Sequence, residues 1–402
     1  MSPNGAEIAA ARPRVIGALA AQFRDLDLAE EAFGAAVEAL LSSAAAPGNA
    51  AAWLYVTARR KALDQLRRRA SEARTQAALA PLEDEMGEII ALPDPIPDER
   101  LRLVFICCHP ALAPEARVAL TLKVVCGVET GAIARAFLVG EPTMFQRLTR
   151  AKAKVAQAGV PFETPPRRFW AERLGAVLAT LEVAWSVAYR DAAGAGVAAE
   201  LAPEVERLAL LLAELLPQES EALGLAASVL LARSREGARV DAAGAMVPLS
   251  EQDTALWDRA RIDLAHGMLI RAQALGERGP HQTLAAIHLA HASRLESDAT
   301  PWETIAALYD ALARLRPSAV VGINRAVAYG RAYGAERGLA ELAQLDGERL
   351  TGFLPSHVAR ADLLARAGQG EAARAAFTAA LALDPGPAER RYLERRLAQS
   401  GE

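Results

Sequence analysis

Apolar positions recur every three to four residues along most of the chain. Nowhere do they alternate at the period of two that a half-buried strand requires. Residues Ala9 to Leu41 read as helices interrupted near Arg24–Asp27. Asn49 stands where it can cap a helix running from Ala50 to about Ala78. Further helices are expected near Glu99–Cys108, Pro114–Cys126, Thr130–Phe137 and Pro142–Ala158. The pattern fails between Pro81 and Glu99, where Pro93, Pro95 and Pro97 disfavour helix and predict an extended tether. A second break runs from Gly159-Val160-Pro161 to Pro165-Pro166, and helix returns beyond it. The fold class is all-α.

The last hundred residues repeat. Gly334 and Gly368 lie 34 positions apart; Pro317 and Pro385, like Tyr309 and Phe377, lie 68 apart. A 34-residue period of paired helices marks tetratricopeptide-like stacking, in which neighbouring repeats bury one continuous core. His357–Pro385 fits best, with Ala361, Leu364, Gly368, Ala373, Phe377, Ala380 and Pro385 at the small, bulky and helix-ending positions. The segment Asn324–Ala343 is a weaker copy, and Trp170–Gly279 has no clear period.

Charge sharpens this division. The 402 residues carry 45 Lys+Arg against 49 Asp+Glu, so the chain as a whole is no polycation. Residues 1–160 hold 19 basic and 18 acidic groups, and seven of those acids sit between Pro81 and Glu99. Two basic helical segments therefore flank an acidic strap, and a mildly acidic helical region follows. Lysine occurs only at Lys61, Lys123, Lys152 and Lys154, which leaves arginine as the working cation. No apolar run approaches the ~20 residues a membrane span needs, so no membrane association is expected. The first residues lack a basic flank followed by an apolar core, so a secretion signal is not expected either. Three cysteines cannot build a disulfide framework, which fits the reducing cytoplasm.

The residues able to carry chemistry lie on two helices. Pro114–Lys154 has helix-turn-helix spacing: Thr130 caps a short helix, Leu138-Val139-Gly140 turn, and Pro142 opens a second helix. On that second helix Met144, Leu148 and Ala151 are expected to face the core. Thr143, Gln146, Arg147 and Arg150 share the opposite side. Gln and Arg make bidentate hydrogen bonds to adenine and guanine edges, whereas Arg150, Lys152 and Lys154 suit phosphates. The bland alternative is an ordinary solvated face. The helix bearing Trp53, Tyr55, Arg59-Arg60-Lys61, Asp64 and Arg67-Arg68-Arg69 is the second basic element. Cations holding phosphates beside aromatics that receive unstacked bases suit strand separation, although Trp53 serves equally well as core. Cys107, Cys108, His109 and Cys126 lack zinc spacing, and His281, His288 and His291 lack a third ligand, so no metal is expected. No phosphate-cradling or nucleophile motif occurs, so neither an enzyme nor a cofactor is expected.

The runs "DLDLAEEAF", "AAWLYVTARRKALDQLRR", "DERLRLVFICCHPALAPEARVALTLK", "IARAFLVGEPTMFQRLTRAKAKV" and "AERRYLERRLA" resemble extracytoplasmic-function RNA polymerase sigma factors. The subgroup with a C-terminal tetratricopeptide-like extension is the best fit, "CCHPAL" being specific to it. The resemblance implies a bacterial initiation factor in four parts. Residues 1–80 would be a region 2 helical bundle for the −10 element and core polymerase, and 81–98 the acidic linker. Residues 99–160 would be a region 4 helix-turn-helix for the −35 element, and 161–402 an α-solenoid. It further implies −35 reading by Thr143, Gln146, Arg147, Arg150 and Lys152. The −10 side falls to Trp53, Arg59, Arg60, Lys61, Asp64 and Arg67, and polymerase binding to Asp27, Glu30, Glu31 and Phe33. The implied partners are core RNA polymerase through its β′ clamp and β flap, promoter DNA both duplex and melted, and a protein at the repeat domain. The sequence departs from the pattern at Gly34-Ala35, where relatives carry Gln and an acid. Two other readings stay open: a sigma-derived DNA-binding regulator with altered or lost polymerase contact, and a helical-repeat interaction scaffold.

Overall fold

A computed structural model describes residues 5–43, 49–74, 97–137, 139–157, 170–190, 197–276, 278–297, 299–345 and 350–399. Among these the secondary structure is helical, with one isolated β-bridge, Val240–Met246, and no strand. The chain divides into two compact units, Met1–Ala184 and Trp185–Glu402.

The first unit opens with α1 (Gly5–Phe23) and α2 (Leu26–Leu41). Arg24 breaks the chain between them by taking a left-handed conformation, φ 54°. Asp25 then caps α2, its carboxylate accepting from the Leu28 N–H at 3.0 Å. Asn49 does the same for α3 (Ala50–Arg74), accepting from Ala52 N–H at 3.0 Å. Next come α4 (Pro97–Cys107), α5 (Pro114–Thr121), α6 (Thr130–Ala136), α7 (Glu141–Gln157) and the start of α8 (Trp170–Arg190), whose residues from Trp185 belong to the second unit. Helix α1 packs against α2, α3 and α4, and α7 packs on α5 and α6. Ile16, Leu19, Leu28, Leu54, Ile106 and Met144 are fully buried where these helices meet.

Two elements differ from the reading of the sequence. The helix expected over Pro114–Cys126 widens after Thr121 into a π turn, Leu122–Cys126, closed by Gly127 at φ 78°. The guanidinium of Arg12, reaching across from α1, donates to the carbonyls of Val124 (3.1 Å) and Lys123 (3.2 Å). Arg12 thus adds a donor from another helix to helix-end carbonyls, that of Lys123 also accepting from the Gly127 N–H at 3.1 Å. The tether expected over 81–98 lies outside the described residues except for Pro97 and Asp98, which already belong to α4. A proline at the first helical position sacrifices no intrahelical donor, so Pro97 starts the helix instead of breaking it.

The second unit centres on α10 (Ser220–Arg233), buried on nearly every side by α9 (Val197–Leu215), α11 (Arg259–Ala274) and α12 (Pro280–Ala292). The short α13 (Arg294–Ser297) follows. After it come α14 (Trp302–Leu315), α15 (Ala319–Tyr333), α16 (Ala335–Ala343), α17 (Leu354–Arg366), α18 (Gly370–Leu381) and α19 (Pro387–Gln399). Neighbours pack in sequence order, as stacked helical repeats do. Gly334 (φ 102°) and Gly368 (φ 73°) make the tight turns inside the pairs α15/α16 and α17/α18, conformations an L side chain resists. Gly334 alone joins the first pair, whereas Ala367-Gly368-Gln369 join the second, so the 34-residue spacing marks a positive-φ glycine in two turns of different length. Within the first pair Gly338 lies so near Gly330 Cα and Ala326 O that a Cβ would sit 2.7 Å from each.

Candidate nucleic-acid interface

Helix α7 is amphipathic. Met144, Leu148, Ala151 and Val155 are buried, while Thr143, Gln146 and Arg150 are exposed and Arg147 is half-buried. Arg147 lies over the Phe137 ring at 5.7 Å, so its stem is braced while its face stays accessible. Arg150 donates to the Gln146 side-chain carbonyl at 3.3 Å, which aligns two polar groups along one stripe. The exposed Phe145 ring stands beside them. The helix-turn-helix closes through Val139 N–H donating to Ala134 O at 3.0 Å, Leu138 lying outside the described residues.

Lys152 belongs elsewhere. Its side chain is 15% exposed, and its Nζ reaches Asp27 Oδ1 at 2.6 Å and Glu30 Oε2 at 2.7 Å. Burial alone would lower its pKa, but Glu30 and Asp27 more than offset that and raise it. Arg12 adds a second cation to Glu30 at 2.9 Å and lies over Phe33 at 5.4 Å. Three expectations change together. Lys152 faces α2 and not an open phosphate-binding side; Asp27 and Glu30 are engaged by that lysine; and Phe33, 2% exposed, is core. Of the four residues expected to bind polymerase, Asp27 and Glu31 are exposed, Asp27 with Lys152 at 2.6 Å and Glu31 with Arg69 of α3 at 3.5 Å.

On α3, Arg60, Lys61, Asp64 and Arg67 are exposed, and Trp53 and Arg59 are half-buried. Asp64 lies 3.8 Å from Arg67, and Arg69 lies 3.6 Å from Asp25. Most cations of the long helix thus point to water, with the acids clustered toward its end.

Arg12 and Phe137 are the residues that sequence reasoning missed. Neither stands in a local pattern, since each acts on a partner across a helix junction. The cysteines are interior, with Cys108 Sγ against Thr121 Oγ1 at 3.4 Å, and burial pushes the Cys107 and Cys108 thiols up. Such thiols are poor nucleophiles and poor ligands. Among the described residues no cluster of three or more His, Cys, Asp or Glu is placed to hold a metal. Nor, among the described residues, is any helix long and apolar enough to cross a membrane.

The sigma-70 region 4 family model matches residues 102–155, which include the whole helix-turn-helix. A family of unknown function (DUF6596) matches residues 173–273. An uncharacterized protein of Rhizobium meliloti (strain 1021) is 42% identical over 398 residues, covering 97% of this chain and 94% of that one. The chain belongs to the same family as that protein and carries a sigma-70 region 4 domain. Its described residues are all-α, and the region 4 domain points to sigma-factor-like DNA binding. Region 4 implies interaction with RNA polymerase and promoter DNA in general terms. No solved structure matches the chain.

Proposed function

We propose that the protein is an extracytoplasmic-function sigma factor acting in the bacterial cytoplasm. In this reading it directs core RNA polymerase to specific promoters and needs neither a cofactor nor catalytic chemistry of its own. The observation that carries the reading is the stripe of exposed Thr143, Gln146 and Arg150 with half-buried Arg147, set on a helix whose other side is buried. Gln146 and Arg147 would read −35 base edges and Arg150 would hold phosphate. The exposed cations of α3 would grip the −10 region, with Trp53 at the N-terminal end of that helix. Residues 161–402 would form the regulatory solenoid and dock a protein partner.

This reading requires movement. The −10 and −35 elements are roughly 25 base pairs apart, ~85 Å at 3.4 Å per base pair. Lys152 meanwhile holds α7 to α2 at 2.6 Å. The two regions must part before both elements are engaged, so the Lys152–Asp27–Glu30 cluster is a closure that polymerase or DNA has to open. Asp27 and Glu30 would then be released to meet the polymerase clamp.

Transcription in vitro with core polymerase and the full chain tests the proposal. Promoter-dependent transcripts are expected. The double variant Arg147→Ala/Arg150→Ala should abolish them, and loss of the Arg150 phosphate contact should flatten the salt dependence of DNA binding by about one charge. Specific DNA binding without any transcript would favour the second reading, a sigma-derived regulator that has lost polymerase contact. That reading draws on Gly34-Ala35 and on the engagement of Asp27 and Glu30.

A further inference from the structure

The second unit contains a cavity of about 400 Å³ on the inner side of its helical repeats. Trp302 of α14, Val327 of α15, and Leu354 and Val358 of α17 give it apolar walls. That size and lining suit a small organic molecule, which needs an apolar enclosure and a few polar groups to orient it.

Two polar side chains on its border, Arg331 and His291, bear on what it would hold. Arg331 is half-buried, donates to the Ser250 hydroxyl and lies over the Trp302 ring at 5.1 Å. Among the described residues no carboxylate approaches it within ion-pairing distance. Arg325, Arg337, Arg366 and Arg396 each have one between 2.7 and 3.2 Å. His291 is buried to within 8% of its surface, stands edge-on to Trp302 at 5.3 Å, and its Nδ1 has no hydrogen-bond partner. Burial, then the neighbouring Arg235, His288, Arg294 and Arg331, hold its pKa down to about 3, so the ring is neutral. A guanidinium without a counter-ion, a neutral imidazole and a hydroxyl thus meet at one end of an apolar chamber.

Three carboxylates also border the chamber, and they limit the charge it accepts. Asp362 is committed to Arg366 at 2.8 Å and Arg396 at 3.2 Å. Glu389 accepts from the Gly386 N–H at 3.2 Å, and Glu251 is exposed. A dianion such as a phosphate ester would meet a single uncommitted cation here with acids nearby. A monoanion matches. We propose that this cavity binds a small apolar monocarboxylic acid, its carboxylate on Arg331 and its hydrocarbon body against Trp302, Val327, Leu354 and Val358. The site stands apart from the DNA-binding reading and does not depend on it.

The test is titration calorimetry on the full chain with a panel of probes: straight-chain C6 to C12 acids and phenyl-terminated acids of similar length. Each acid is paired with its primary amide and its primary amine. At least one acid should bind saturably, one per chain, and about tenfold more tightly than its amide or amine. Arg331→Gln should reduce that acid to the level of its amide. Val327→Trp, on the opposite kind of wall, should block acid and amide alike while circular dichroism and the melting profile stay native. The proposal is overturned if no acid binds at millimolar concentration, or if acid and amide bind alike. It is equally overturned if a folded Val327→Trp protein still binds.

Discussion

The two units use arginine in opposite ways. In the first, the cations of α3 and of the outer side of α7 face water, and those that pair do so mainly with acids near the α1–α2 junction. In the second, guanidiniums are built into the packing. Arg325 and Arg337 share the nearly buried Glu341, Arg239 lies 3.7 Å over the Tyr189 ring, and Arg396 joins Asp362 to Tyr392. The number of arginines in a unit therefore says little about ligands. Exposure and the absence of a partner turn a cation into a binding group.

Acid should separate the units most strongly. His288 and His291 both have pKa values held down to about 3, by burial first and by the Arg235 guanidinium next. Their ordinary value is 6.5, so the unfolded chain takes up protons that the folded second unit refuses. Stability from these two groups is complete above about pH 6.5 and is lost as pH falls toward about 3. Each histidine contributes ~1.4 kcal/mol per pH unit across that window. Denaturation followed between pH 7 and pH 4.5 should show a transition that weakens steeply. His291→Gln should remove about half of that slope, and an unchanged slope would contradict the assignment.

Next in size is the closure in the first unit. Lys152→Met keeps the stem and removes the charge, leaving Asp27 without its cation while Glu30 retains Arg12. A cost of ~2 kcal/mol to that unit is expected, below the cost of stripping a fully buried pair. Because the lysine pKa is raised, its contribution is present below about pH 10.5 and fades as pH rises through the folded-state value. DNA affinity measured by anisotropy should hold or increase. A loss of affinity, with the salt slope falling by about one charge, would return Lys152 to the phosphate contacts.

Gln146→Ala should act on discrimination and leave stability alone. It removes a side chain able to hydrogen-bond an adenine edge in two places, and it frees Arg150 from its 3.3 Å hydrogen bond. Preference at one −35 position should relax by ~1–2 kcal/mol, with binding to unrelated DNA unchanged. Equal losses on every duplex would make Gln146 a positioning residue for Arg150.

These contrasts also mark how far local pattern reaches. Helix starts at Leu26, Ala50 and Pro114 follow from caps and prolines, and the buried side of α7 follows from its period; Thr130, expected as a cap, is instead the first residue of its helix, and Glu129 before it makes no side-chain cap. The repeat was legible because Gly334 and Gly368 each put a positive-φ glycine between paired helices. Lys152 was misread because its spacing on α7 is that of a phosphate-binding lysine, while its partners lie about 125 positions away. Arg12 gave no signal at all: a cation within an alanine-rich helix reads as a solvated residue until the carbonyls of the π turn are set against it. Local spacing reports which residues share a side of one helix, and long-range pairing decides which sides remain open.

The smallest expected effect concerns Gly34, one place where the sequence departs from the pattern it resembles. Gly34 is exposed on α2, and a Cβ built there meets nothing within 4 Å. Its glycine is required neither by a left-handed backbone nor by a close approach, unlike Gly127 or Gly338. Gly34→Ala should therefore stabilise the first unit by ~0.5–1 kcal/mol, through lower backbone entropy in the unfolded chain and better helix propensity. Denaturant unfolding reads that gain directly. Gly34→Gln should keep most of it, since glutamine is nearly as good a helix former, and it also places an amide on the side of α2 that carries Glu31. If Gly34→Gln strengthens core polymerase capture while Gly34→Ala does not, the departure at this position has weakened a polymerase contact. If both variants stabilise and neither alters capture, the polymerase reads other parts of α2, and the missing amide is a neutral difference.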